Sequence, residues 1–443
     1  MSRACAILLV VLALVACVRS TATDPPAVAR AATSQTPTAP IQARPGERGV
    51  VPDLPLAQPA WPALNEEPEL GVMMMRGQTV RVRLLLPHRT PEGGNLPAGI
   101  VDITASGSGF RVAGHSIAGP QADLVATGSG NRFSVDGVTC SGRLRLAKVG
   151  SAVEVIEMVG LETWLAGVLP AEMQSRWPIE ALAAQAIVAR SYAAARWQNR
   201  KGQAWTILRG TADIAYDGAV EPTIEVATAI ARTRGELLIF GGQAIMARFH
   251  ACSGGRTEDS AALWPDALLP DKRTPLARFS RPVDDPASVE GARGLKMTRT
   301  HQQWRAAITV DELSERLGTW SRAGSSRPRI GTVKAVAIAK RTPSGRVAQV
   351  SITHRLAGSE RSDEMNGLDF RLAVGANQLR SLWWEKVAMA SSRGGQLVVE
   401  GRGFGHGVGL PQVSAWFLAQ DGVRGEDIVS RYFPGATLAK MWK

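Results

Sequence analysis

The chain changes its hydrophobic period once, near residue 160, and that change limits what it can fold into. Upstream, from about Leu70 to Ile156, apolar residues come in short runs cut by glycines. Val80-Arg-Val-Arg-Leu-Leu-Leu86 opens with alternation, and 100–105, 110–113, 132–135 and 144–146 are further short runs. Such runs, bounded by turn residues, predict strands joined by turns. Downstream, Leu161, Trp164, Leu165 and Val168 follow an i, i+3, i+4, i+7 spacing that places all four on one helix face. Pro170 is expected to stop that helix. A second helix starts at Pro178, a residue suited to a first helical position, and runs through an alanine-rich stretch to about Gln198. Between the two lies the expected loop Pro170-Ala-Glu-Met-Gln-Ser-Arg-Trp177. Further on, 222–232 reads as a helix and 236–240 and 244–250 as strands. A helix is expected near 309–317, a hairpin from 333–340 and 347–354, and a strand at 397–400 entering a glycine-rich turn. Strands and helices mixed in no strand–helix–strand order predict an α+β fold: a β-rich N-terminal part, a helical central motif, then mixed short strands and helices.

The N-terminus speaks about location. Arg3 precedes an apolar run from Ala4 to Ala16, well short of the roughly 20 residues that a spanning helix needs. Residues 1–16 therefore read as a secretory signal peptide. The run ends Leu14-Val15-Ala16-Cys17, similar to a bacterial lipobox, which makes Cys17 the candidate lipidation site. No other segment approaches 18 consecutive apolar residues, so membrane contact is expected through that lipid alone. Residues 18–68 hold ten of the 26 prolines and one aromatic, Trp61, a composition that makes an extended tether and cannot bury a core. The expected organisation is a signal at 1–16, a lipid-anchored linker at 17–68, a β-rich part at 69–158 and the remaining core at 159–443. Export gives the formal net charge of +12 a meaning: an anionic cell envelope is its natural counterpart, although an arginine-rich genome would supply the same excess. No zinc-finger spacing and no aromatic RNP-type strand occurs, so nucleic acid is not an expected partner. Of four cysteines, Cys5 leaves with the signal and Cys17 carries lipid. Cys140 and Cys252 remain, too few for a disulfide framework, with their pairing left open.

Three local patterns could carry chemistry. Glu172 sits beside Met173 and near Trp177. A carboxyl among apolar and aromatic groups is harder to ionise and can donate a proton near neutrality. On these residues alone, a carboxylate answering the free amides of the following helix is the simpler reading. Gly401-Arg-Gly-Phe-Gly-His-Gly-Val-Gly409 alternates five glycines around His406. It lacks the third glycine of a dinucleotide fingerprint and any P-loop lysine, so it reads as a backbone allowing close approach to a ligand, or as a turn with an incidental histidine. Phe249-His-Ala-Cys-Ser-Gly-Gly255 offers His250 and Cys252 as metal ligands, but a tetrahedral site needs more and none lies nearby, so no metal is expected. Ser253 lacks the nucleophile-elbow pattern of serine hydrolases.

Together the islands carry a resemblance. Leu161-Glu-Thr-Trp-Leu-Ala-Gly-Val-Leu-Pro-Ala-Glu-Met173, Trp177-Pro-Ile-Glu-Ala-Leu-Ala-Ala-Gln185, Ala189-Arg-Ser-Tyr192, Tyr216-Asp-Gly218, His250-Ala-Cys-Ser-Gly-Gly255, Gly405-His-Gly-Val-Gly409 and Tyr432-Phe-Pro-Gly435 resemble, in order, the motifs of the stage II sporulation protein D/LytB family. The resemblance spans about 76–438. It departs around Gln412, where Leu410-Pro411 and Val413-Ser414 replace the family's Met-Ser and Tyr-Gly.

That resemblance implies a peptidoglycan lytic transglycosylase. Its substrate would be peptide-free glycan strands, its products 1,6-anhydromuramoyl ends, and its general acid and base Glu172. It also implies that Gln185, Arg190, Tyr192, Ser253, Gly254, His406 and Gln412 position the saccharide, with no cofactor required. One acid suffices because the sugar's own 6-hydroxyl replaces water, whereas a hydrolase usually needs two carboxylates. The alternative within the family is a LytB-type enhancer that binds wall glycan and activates a partner amidase. Either role places the protein outside the cytoplasmic membrane, lipid-anchored and facing the wall.

Overall fold

Strand Thr79–Leu84 alternates exposed and buried residues along its whole length, the signature of a strand with one face on a core. It belongs to one of two sheets formed by the N-terminal region, a six-stranded sheet beside a seven-stranded one. The structure is a computed structural model. It describes residues 66–442 apart from 131, 211–212, 265–279, 296–301 and 391–394. Cys17, the signal and most of the tether lie outside the described residues. Strand Ala152–Gly160 is buried on both faces and pairs antiparallel with Glu69–Gly77 and Arg143–Val149. It hands the chain directly to the helical motif.

Helix α1 (Leu161–Glu172) contains Pro170 and ends two residues later than expected. A proline forbids only the bond from its own nitrogen, and Met173 N–H still closes on the Leu169 carbonyl at 2.8 Å. The consequence is functional: Glu172 stands on the rigid last turn of a helix, not in a loop. Helix α2 (Ile179–Asn199) is buried from Ala181 to Ala195 without interruption. Its small side chains let α1, helix α3 (Ile224–Arg232), strand Glu236–Phe240 and the C-terminal helices Gln412–Gln420 and Gly425–Tyr432 pack around it. One core joins the N-terminal strands to these helices, from Leu70 through Ala247 and again from Leu410 to Trp442.

The intervening stretch builds its own core from Trp304 to Val399. It contains the sheet of Gln303–Thr309, Gln396–Arg402 and Trp384–Ala390, helix Val310–Arg322, and the meander Thr332–Arg341, Val347–Leu356, Ser359–Asn366. The expected hairpin is therefore present with a third strand added. The expected strand 244–250 is instead two short pieces, Gln243–Ala244 and Phe249–His250, because the second leaves the sheet to pair parallel with Leu410–Pro411. Helices and strands in small separate sheets make the fold α+β. Cys140 and Cys252 are both free and buried. Among the described residues no helix is long and apolar enough to cross a membrane.

Candidate active site

Glu172 projects from the end of α1 into a half-buried position. Its carboxyl Oε1 accepts the Ala215 N–H at 2.8 Å. The segment bearing that amide is anchored from behind. Tyr216 donates its hydroxyl to Glu157 at 3.0 Å and packs on Trp164 at 6.3 Å between ring centroids. Glu157, buried on its strand, also accepts the N–H groups of Ser141 and Gly142. Gly167 makes the close approach possible: a Cβ there would lie 2.2 Å from the Gly218 carbonyl oxygen and 2.6 Å from the Tyr216 ring. From the other side, Gln412 donates its side-chain amide to the Glu172 carbonyl at 3.2 Å. Burial pushes the Glu172 carboxyl above the usual carboxylate range, and exposed Asp217 reinforces this; the Ala215 amide and Gln412 temper it. Among the described residues Glu172 has no cationic partner, so desolvation prevails.

Tyr192 is tied to the segment that bonds this acid. Its hydroxyl donates to Asp213 at 2.8 Å, and Asp213 also accepts from Arg196 and the Leu208 N–H, both at 2.9 Å. Asp213 is two residues before Ala215, so one short segment presents both. Arg248 adjoins Tyr192 and Asp213 electrostatically. Its carbonyl accepts the Leu410 N–H at 3.0 Å, two residues before Gln412. Its guanidinium carbon lies 3.9 Å over the Trp264 ring. Trp264 meets His406 edge-on at 5.4 Å, and His406 faces His250 at 5.5 Å. A chain of contacts thus runs from the 213–215 segment that bonds Glu172 through Tyr192, Arg248 and Trp264 to the glycine-rich turn.

Both histidines are held neutral. His250 donates from Nδ1 to the Val408 carbonyl, while His406 Nδ1 accepts the Val408 N–H, leaving the His406 proton on Nε2. Burial and neighbouring arginines press the His250 pKa down to about 3 and hold His406 well below its ordinary value. Among the described residues no group of His, Cys, Asp or Glu has metal-binding geometry.

Other residues expected to face saccharide are elsewhere engaged. Arg190 is fully buried, with its guanidinium on Glu162 at 2.8 Å and further contacts to Thr233 and the Glu236 carbonyl. Gln185 is fully buried in α2, and neither of its amide atoms finds a partner among the described residues. Ser253 donates its hydroxyl to Asp285 at 2.6 Å, and Asp285 also accepts from Ser414 and Tyr432. Gly254 takes a φ of +75°, a conformation that favours glycine, and a Cβ there would lie 3.1 Å from the Gly403 nitrogen. These four residues are engaged within the fold, whereas Glu172 and Gln412 are bonded to each other and Tyr192 and His406 lie in the adjoining contacts. Ser414, one of the departures beside Gln412, is thus absorbed by the Asp285 cluster. Asp213, Asp217, Arg248 and Trp264 were not singled out by sequence reasoning. Only the Tyr216-Asp-Gly218 island hinted at Asp217.

The glycine-rich turn is clamped by the inserted region. Arg346 reaches the Ser253 and Arg256 carbonyls at 2.8 and 2.7 Å, and a Cβ on Gly407 would strike its guanidinium. Buried Glu258 accepts Thr342 at 2.6 Å and Ser344 from the same hairpin turn, and donates its own N–H to the Gly407 carbonyl.

Comparison with known proteins agrees with the motif reading. Residues 149–240 match the family model described as stage II sporulation protein, and 290–409 match a domain of unknown function, DUF8618. The chain is 27% identical over 305 residues to stage II sporulation protein D of Bacillus subtilis, covering 66% of this chain and 77% of that one. It is 24% identical over 307 residues to an uncharacterised protein of Brachyspira hyodysenteriae, covering 69% and 74%. An amidase enhancer of Bacillus subtilis is 24% identical over 294 residues, covering 62% of this chain and 40% of the enhancer.

Proposed function

We propose that this chain, a member of the stage II sporulation protein D/LytB family, works on the cell wall as a peptidoglycan lytic transglycosylase. The observation that carries the reading is the Glu172 carboxyl, desolvated, without a cation and fixed on a helix end by the Ala215 amide. With burial favouring its protonated form, it would donate to the departing oxygen as the bond from muramic-acid C1 to the next sugar breaks. The resulting carboxylate then accepts the proton of the sugar's own 6-hydroxyl as that oxygen bonds to C1. Glu172 ends as it began, and the strand carries a 1,6-anhydromuramoyl end. No second carboxylate and no water are consumed. Neutral His406, with its proton on Nε2, and Tyr192 supply uncharged polar groups along the wall where saccharide hydroxyls would lie.

The test is digestion of peptide-free glycan strands by the purified chain, with products read by mass spectrometry. Anhydromuramoyl ends from the wild type and none from Glu172→Gln are expected; their absence from the wild type, or persistence in the variant, would defeat the reading. The likeness to an amidase enhancer favours a second reading, in which the chain alone releases nothing and accelerates a cognate wall amidase. We assign the location from the N-terminal sequence: exported and held by lipid on Cys17. Cys17→Ser should then free the protein from membranes, and unchanged membrane association would remove the anchor.

A further inference from the structure

Arg248 carries a cation that no ion pair among the described residues neutralises, and its Nε is buried without an acceptor among them. The nearest carboxylate, Asp213, already accepts from Tyr192, Arg196 and the Leu208 amide. Trp264 covers one face of the guanidinium at 3.9 Å, which fixes its plane and leaves the terminal nitrogens as in-plane donors. Taking a guanidinium out of water without a partner is costly unless an arriving anion compensates. The backbone of Arg248 is bonded to Leu410, two residues from the Gln412 that holds Glu172. Its charge adjoins Asp213, two residues before the Ala215 that bonds Glu172, so an anion bound here would lie in the neighbourhood of the acid.

We propose that Arg248, stacked on Trp264, binds the carboxylate of the 3-O-lactyl group of muramic acid and makes the site selective for strands without stem peptides. The inference rests on the glycan-binding reading above. Within a glycan strand the lactyl carboxylate is the anion attached directly to the sugar ring, and it exists only when no peptide is attached. Amide formation with a stem peptide removes the charge and adds bulk. A planar guanidinium pairs two parallel N–H donors with a carboxylate, geometry that a lysine cannot reproduce.

The experiment measures binding of full-length Glu172→Gln protein, which separates recognition from cleavage. Three probes are used: peptide-free glycan strands, the same strands with lactyl carboxyls converted to primary amides, and strands retaining stem peptides. The native strands should bind about 10- to 100-fold more tightly than the amidated ones, the range of a charge-assisted hydrogen bond. Adding Arg248→Gln should weaken native strands by that factor and leave amidated strands unchanged. Arg248→Lys should recover part of the loss, and its unfolding midpoint separates lost recognition from lost folding. Equal binding of native and amidated strands, equal losses on both probes in Arg248→Gln, or tighter binding of peptide-bearing strands would overturn the proposal. Carboxylate-dependent binding with no anhydromuramoyl product from the wild type would leave Arg248 standing and defeat only the transglycosylase reading.

Discussion

Replacing Arg190 by methionine decides whether that residue serves binding or architecture. Its side chain has no solvent exposure and Glu162 has 5%, so the pair is removed from water. Glu162 accepts two guanidinium nitrogens, the Gly235 N–H at 3.0 Å and the Trp442 indole N–H at 2.9 Å. It thereby ties α1, α2, the turn after α3 and the C-terminus together. Removing one partner of a buried pair costs about 3–5 kcal/mol, because the remaining charge is left uncompensated. The two neutral donors that Glu162 retains place this case near about 3 kcal/mol, below the roughly 5–15 kcal/mol that typical domains possess. The variant should stay folded at 25 °C and melt roughly 4–8 °C lower. Adding Glu162→Gln should restore part of the loss, since no buried charge then remains. Urea unfolding followed by circular dichroism measures the change, and glycan binding well below the new midpoint measures recognition. Wild-type stability combined with weakened glycan binding would refute the architectural assignment.

Other substitutions probe the acid and its supports. Burial raises the Glu172 pKa in the fold, so its ionisation opposes folding: the contribution is intact below the unfolded carboxylate pKa and is lost as pH rises through the folded one. Glu172→Gln should therefore be inactive yet more stable than wild type, with the Tm gain larger at pH 8 than at pH 5; a pH-independent difference would contradict the burial argument. Activity should fall on the alkaline side as the acid loses its proton, a limb that a pH–rate profile resolves. Gly167→Ala should displace the 215–218 segment that supplies the Glu172 hydrogen bond, lowering kcat at least tenfold while Tm also drops; wild-type turnover would mean that the Ala215 contact is dispensable. His250, pressed to about pKa 3, contributes stability that is complete above pH 6.5 and erodes below it, on the order of 2 kcal/mol between pH 6.5 and 5. Urea midpoints across that range should fall less steeply in His250→Asn.

The apolar setting of Glu172 is legible because its neighbours are local, Met173 and Trp177 lying within five residues. Those residues alone favour a helix-end carboxylate, and only the family resemblance singles it out as an acid. Even there, one rule misplaced the helix end, since Pro170 removes a single bond whose loss the last turn tolerates. What sequence could not assign is how each motif residue is used. Arg190, Ser253 and Tyr192 come from motif islands, but only the fold reveals that Glu162, Asp285 and Asp213 claim them in turn. Arg248 escaped notice because its setting, stacked on Trp264 with no ion pair among the described residues, is a property of three dimensions. The chain's three tyrosines extend the point. Each donates its hydroxyl to a carboxylate distant in sequence, Tyr192 to Asp213, Tyr216 to Glu157 and Tyr432 to Asp285. Burying a carboxylate is tolerable only with donors in place, so these tyrosines allow acidic groups to brace the site from inside. The acidic groups Asp213, Glu157 and Asp285 thus brace the surroundings of Glu172 from within, and on the proposal above Arg248, without an ion pair among the described residues, would supply the positive charge for an anionic glycan.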